Sequence, residues 1–122
     1  KWQMPQGGVD SGEALLDAMK RELLEETSIR NIKVLKEFDQ WLEYELPENL
    51  IGKIWKGKYR GQKQKWFVVK FLGNDNEINV NTTNPEFIEW KWIDISLLPG
   101  LIVRFKKHVY ETVLIELKKI VS

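Results

Sequence analysis

The stretch that leaves this chain fewest choices is Gly7–Ile29, GGVDSGEALLDAMKRELLEETSI. A Pro-Gln-Gly-Gly turn, Pro5 to Gly8, leads into it, and Ser11, just ahead of Glu13 and Ala14, signals a helix start near Asp10–Gly12. Leu15, Ala18, Met19 and Leu23, with Leu16 more loosely, recur at helical spacing and give that helix one apolar stripe. Glu22, Glu25 and Glu26 stand at i, i+3 and i+4, so their carboxylates share another face.

That grouping works against helix stability. Like charges at these spacings cost roughly 0.2–0.5 kcal/mol per pair, and acids near a C-terminus oppose the helix dipole. Arg21, at i,i+4 from Glu25, relieves part of the repulsion and leaves two carboxylates without a local partner. A cluster of carboxylate oxygens suits a hard divalent cation, Mg²⁺ or Mn²⁺ before any soft metal. A solvated acidic face is the commoner account of an E-x-x-E-E group by itself, and spacing alone leaves both readings standing.

Counting from Gly7, five residues precede Glu13 and seven more precede Arg21, followed by Glu22-Leu23-x-Glu25-Glu26-x-Ser28-Ile29. This pattern resembles the Nudix box, G-x5-E-x7-R-E-U-x-E-E-x-G-U with U a bulky aliphatic residue. Every defined position matches except the last glycine, which here is Ser28. The resemblance implies a Nudix-type α/β/α sandwich with a mixed sheet and hydrolysis of a nucleoside diphosphate linked to another moiety. It implies Glu22, Glu25 and Glu26 as metal ligands, Arg21 holding a carboxylate in place, and Glu13 as a structural residue at the helix start. Gly7 and Gly8 would let the backbone approach a phosphate or metal, and Glu26 would be the costliest residue to lose. At Ser28 a glycine helix stop is replaced by a residue for which the left-handed conformation costs roughly 1 kcal/mol.

A chain of 122 residues makes one domain, 1–122, with room for a core that needs no disulfide. With no cysteine and a single histidine, His108, thiol nucleophiles, thiolate zinc sites and histidine metal clusters are excluded, and a reducing cytoplasm is the expected setting. No apolar run is long enough to span a bilayer. Nudix folds have strands ahead of the box, so a chain opening at Lys1-Trp2-Gln3-Met4-Pro5 is expected to be N-terminally incomplete.

Net charge is only +1, but it is unevenly spread. Eleven acidic residues lie between Asp10 and Glu48, and none between Ile51 and Lys70, where Lys53, Lys56, Lys58, Arg60, Lys63, Lys65 and Lys70 fall. A basic segment beside an acidic metal helix suits a polyanionic, metal-chelated substrate, although lysines also guard strand edges against aggregation.

Alternation predicts strands over Asn31–Phe38 and Trp41–Leu46, antiparallel to each other across a turn near Asp39–Gln40. Pro47–Gly61 reads as basic loop and Lys65–Leu72 as the strongest strand. Gly73–Asn84 is polar around a short Ile78–Val80 piece, and Phe87–Ile93 reads as a further strand with Trp90 and Trp92 on one face. Leu101–Val121 predicts a helix with Phe105, Val109, Val113, Leu117 and Ile120 in one stripe.

Beyond the box, Trp2–Gly8, Tyr59–Phe67, Pro85–Phe87 and Arg104–Tyr110 are together similar to the bacterial RNA 5′-pyrophosphohydrolases and related dinucleoside polyphosphate hydrolases, essentially end to end. That likeness implies that Glu86, of Pro85-Glu86-Phe87, joins catalysis and metal binding. It also implies that Gln62, Lys63 and Lys65 line a phosphate groove, with Lys63 and Lys65 on one strand face, and that Gln6, Gly7 and Gly8 border the substrate. Phe105 would stack on a base and Tyr44 would face substrate. Spacing alone gives Phe105 a core role equally well, and makes Trp66, Trp90 and Trp92 core residues. The expected substrate is an RNA 5′ end or a dinucleoside polyphosphate, with neither DNA nor a membrane as partner and a monomer as the expected state. A non-catalytic Nudix module that binds nucleotides or RNA is the alternative, and the intact box glutamates speak against it.

Overall fold

Helix α1 forms over Leu15–Thr27, later than the Asp10–Gly12 start that Ser11 signals. Its N-cap is Ala14, extended and without a side-chain cap bond. Asp10–Gly12 instead belong to a turn in which Gly12 takes a positive φ of 79°, and the Glu13 N–H donates to the Asp10 carbonyl. In this computed structural model the described residues are 2–49 and 61–121. The expected loop over Pro47–Gly61, with Lys53, Lys56, Lys58 and Arg60, therefore lies almost wholly outside them.

The strands are β1 (Ile32–Glu37), β2 (Leu42–Glu45), β3 (Gly61–Gln64) and β4 (Phe67–Phe71). Alternation in β1 is real: every second residue faces inward. The expected pairing is not. β1 pairs with β4 and β2 with β3, so the predicted β1–β2 hairpin does not form. Each finds its partner in the 61–71 segment: β1 pairs with β4, rich in β-branched and aromatic residues, and β2 with the polar β3, Gly-Gln-Lys-Gln. β2 and β3 are antiparallel, with Leu42 opposite Gln64 and Glu45 opposite Gly61. The Leu72 N–H donates to the Asn31 carbonyl at 2.8 Å, joining the end of β4 to the start of β1, so this pair is antiparallel too. Both described pairs are antiparallel, and the class is the α/β one expected.

The Phe87–Ile93 strand is also absent, and the segment is irregular. Aromatic content supplied β propensity without a ladder partner. Trp92 is 58% exposed; its indole N–H donates to Asp75, its ring stacks on Phe71 at 6.1 Å and meets Trp90 edge-on at 6.0 Å. The C-terminal helix is shorter than predicted. Leu98–Leu101 is a single turn, α2, with Pro99 at its start. Ile102, 5% exposed, is extended and breaks the run, and after a 3₁₀ turn at Arg104–Lys106 helix α3 covers Lys107–Val121.

The chain divides into two compact units. One comprises Lys1–Gln3, Glu37–Trp66 and Ile93–Ser122, with a core of Phe38, Tyr44, Leu46, Ile102, Val109, Tyr110 and Val113. The other comprises Met4–Lys36 and Phe67–Trp92, with Ala18, Val68, Ile78 and Val80 buried. No helix among the described residues is long and apolar enough to cross a membrane.

Candidate active site

Arg21 is the hub of the unit that contains α1. Its Nε and Nη2 donate to the two Glu13 carboxylate oxygens at 2.9 Å each, its Nη1 to Glu22 at 2.7 Å and Glu25 at 3.3 Å, and Nη2 also to the Gly8 carbonyl at 2.9 Å. A planar fork with five N–H groups can serve all of these at once, which an ammonium could not. The bidentate Arg21 contact, helped by the Asp10 N–H, holds the Glu13 carboxyl down near 2, and Arg21 itself is held more firmly charged by Glu13 and Glu22. Glu13 thus ties the loop before α1 to the helix.

Gln6, Gly7 and Gly8 lie along the acidic face. The Gln6 N–H donates to Glu26 at 3.1 Å, and Gly8 receives Arg21. A Cβ on Gly7 would overlap the Glu22 carboxylate where it now lies, so a larger residue there would displace that side chain.

Glu26 is 6% exposed. Burial first, then the Glu22 charge, push its carboxyl up to about 7; Glu86 and Glu25 add to the rise, and the Gln6 N–H opposes it. Glu25 is mostly exposed and Glu22 half-buried.

α1 stops at Ser28, which adopts φ 66° and ψ 9°, the left-handed cap that the family pattern gives to glycine. The Ser28 N–H closes on Leu24, and its hydroxyl donates to the Asn79 carbonyl at 3.0 Å, while the Asn79 N–H donates to Thr27 at 2.9 Å. Two bonds thus fasten the polar 79–86 segment to the end of α1. Between them lies a cleft of about 620 Å³, with Glu22, Glu25, Glu26 and Glu86 on its lining together with Ser28, Arg30 and Asn81–Asn84. Glu86, an exposed residue 60 positions beyond Glu26, thus lines the same cleft as the box carboxylates.

The donor set fits a hard divalent cation: it is all oxygen, and the buried Glu26 is surrounded by charges of its own sign. Among the described residues, no three acidic or histidine side chains form a ready ligand group; Arg21 draws Glu22 and Glu25 towards itself.

The remaining expected substrate residues belong to the other unit. Tyr44 is only 3% exposed; its hydroxyl donates to Gln62 at 2.9 Å, and burial followed by Tyr110 raises it to about 12. This corrects the substrate-facing reading: Tyr44 is a core residue that orients Gln62. Phe105 is half-buried on the 3₁₀ turn before α3, its ring 5.6 Å from that of Tyr44, and Lys106 lies over the Tyr44 ring at 5.2 Å. Lys63 is exposed on β3. Lys65 lies past the end of that strand, donates to the Asp39 carbonyl at 3.2 Å and pairs with Glu37 at 3.7 Å, so the two lysines do not share a strand face. Trp66 packs edge-on against Tyr110 at 5.2 Å.

Sequence reasoning missed Arg30 and the Asn81–Asn84 wall of the cleft. The only signal was the run of amides and hydroxyls itself, which reads as loop until the Ser28–Asn79 fastening is known.

The NUDIX domain profile matches residues 1–113. The chain belongs to the Nudix family and is a hydrolase of phosphoanhydride bonds, of a kind that generally needs divalent metal ions. An RNA pyrophosphohydrolase of Pelagibacter ubique (strain HTCC1062) is 60% identical to it over 121 residues, covering 99% of this chain and 77% of that protein. RNA pyrophosphohydrolases of Bradyrhizobium diazoefficiens and Bartonella clarridgeiae are 54% and 47% identical, covering 94% and 96% of the chain and 71% and 70% of theirs.

Proposed function

We propose that this enzyme removes pyrophosphate from the triphosphorylated 5′ end of RNA, in the cytoplasm, with Mg²⁺ or Mn²⁺ held by Glu22, Glu25, Glu26 and Glu86. The observation that carries the reading is the convergence of Glu86 with the three box glutamates on one cleft around a buried, charge-frustrated Glu26. The names of the relatives supply the RNA 5′ end as substrate.

A bound divalent cation would neutralise phosphate oxygens and acidify a water. Glu26, with its carboxyl near 7 in the metal-free protein, is the ligand whose buried charge a cation would relieve most. Arg21 positions the ligands: it holds Glu22 and Glu25, which would coordinate the cation, while the bidentate Glu13 contact keeps Arg21 in place. In the other unit, Lys63 and Gln62 are the groups suited to phosphate oxygens and Phe105 the ring suited to stacking on a base, a contact worth roughly 1–3 kcal/mol and tolerant of base identity. Lys65 supports that segment from behind through Glu37 and Asp39.

Competition between 5′-triphosphorylated RNA and diadenosine tetraphosphate at equal concentration tests the assignment. Faster release of pyrophosphate from RNA supports it; preference for the dinucleotide would make the enzyme a dinucleoside polyphosphate hydrolase instead.

A further inference from the structure

The carboxylates occupy only part of the cleft. The rest of its wall is Arg30 with Asn81, Thr82, Thr83 and Asn84. Arg30 is exposed and, although four carboxylates line the same cleft, it makes no ion pair or hydrogen bond among the described residues. In contrast, Arg21, nine positions earlier, is fully engaged by acids. Thr82 lines the same cleft, and its hydroxyl is buried without a hydrogen-bond partner among the described residues. A free guanidinium and an orphaned hydroxyl on the wall of a cleft built for a polyanion are matched to phosphate oxygens, which a guanidinium fork engages in pairs and a hydroxyl can serve as donor.

We infer that Arg30, together with Thr82, forms a second phosphate subsite in this cleft that holds a substrate phosphate not carried by the metal. The inference rests on the RNA 5′-end reading, and its chemistry has two sources: the terminal phosphates that leave as pyrophosphate, or a phosphodiester of the RNA chain that stays. A simpler role for Arg30 is a cation three residues past the C-terminus of α1, where it would only complement the helix dipole.

The two reaction products separate these cases without any turnover. Equilibrium binding of Mg²⁺-pyrophosphate and of 5′-monophosphorylated RNA is measured for the wild type, Arg30→Ala and Arg30→Lys. Loss of a charged phosphate contact is expected to weaken one product about tenfold or more in Arg30→Ala, with Arg30→Lys between it and wild type. Weakened pyrophosphate assigns the subsite to the leaving phosphates; weakened RNA assigns it to the retained chain. Thr82→Val should weaken the same product. If Arg30→Ala changes neither product by more than twofold, or lowers only the melting temperature, the subsite is overturned. Failure of the wild type to hydrolyse triphosphorylated RNA would sink the substrate assignment, yet leave these binding measurements readable.

Discussion

Ser28 holds a backbone conformation that only glycine adopts freely, and its hydroxyl is bonded to Asn79. The left-handed strain costs about 1 kcal/mol and the bond returns about as much. Ser28→Ala keeps the strain and loses the bond, so it should unfold about 1 kcal/mol more easily than wild type, whereas Ser28→Gly should match wild type; urea denaturation separates them. At Glu26 the folded-state carboxyl stands near 7 against an ordinary 4.5. A raised acid favours the folded state while protonated, so its stability is intact below about 4.5 and is lost as pH rises through about 7. Metal-free Glu26→Gln should therefore be more stable than metal-free wild type at pH 8, by about 1–3 kcal/mol, with the gap closing by pH 4.5. The box residues were readable from spacing because a helix fixes the i, i+3 and i+4 neighbours. Arg21's contacts with Glu13 and Gly8 were not, since they close through a loop that folds back.

At the scale of elements, α1 and the loop before it are one cooperative piece joined through Arg21. Arg21→Ala should lower the melting temperature and free Glu13. Hydrogen exchange should then accelerate at the Asp10 amide, whose acceptor is Glu13, more than at the Gln6 amide, whose acceptor is Glu26. Equal acceleration at both would mean that Arg21 does not order the loop selectively. Element existence was legible for α1, β1, β2, β4 and α3, where periodicity ran unbroken. Pairing was not: neighbouring β1 and β2 read as a hairpin, but partner choice depends on surfaces distant in sequence. Phe87–Ile93 had strand composition and no strand to join, and the extended Ile102 with the 3₁₀ turn after it left Phe105, the first residue of the predicted stripe, outside α3.

For the whole molecule, charge is divided between an acidic stretch built around α1 and a basic one of which Lys63 and Lys65 are described. Lys65 is committed to Glu37 and Asp39, and Lys63 is exposed. Lys63→Ala should thus reduce the salt dependence of RNA binding by about 0.7 in the log–log slope, the value for one contact to a single strand, while Lys65→Ala should mainly lower the melting temperature. A divalent cation should raise the melting temperature of the wild type more at pH 8 than at pH 5, because protons compete for Glu26, and should do little for Glu26→Gln at either pH. The box and the Pro-Glu-Phe likeness made this chemistry legible in the sequence, whereas the burial that makes Glu26 unusual required the fold.

The most direct test of the central claim is pyrophosphate release from 5′-triphosphorylated RNA at saturating Mg²⁺, wild type against Glu26→Gln at matched folded fraction. The account predicts robust release by wild type and a loss of about 100-fold or more in kcat/KM for the variant, or about 2.7 kcal/mol of transition-state stabilisation. Equal release by both would show that the buried carboxylate of α1 is not the centre of this enzyme.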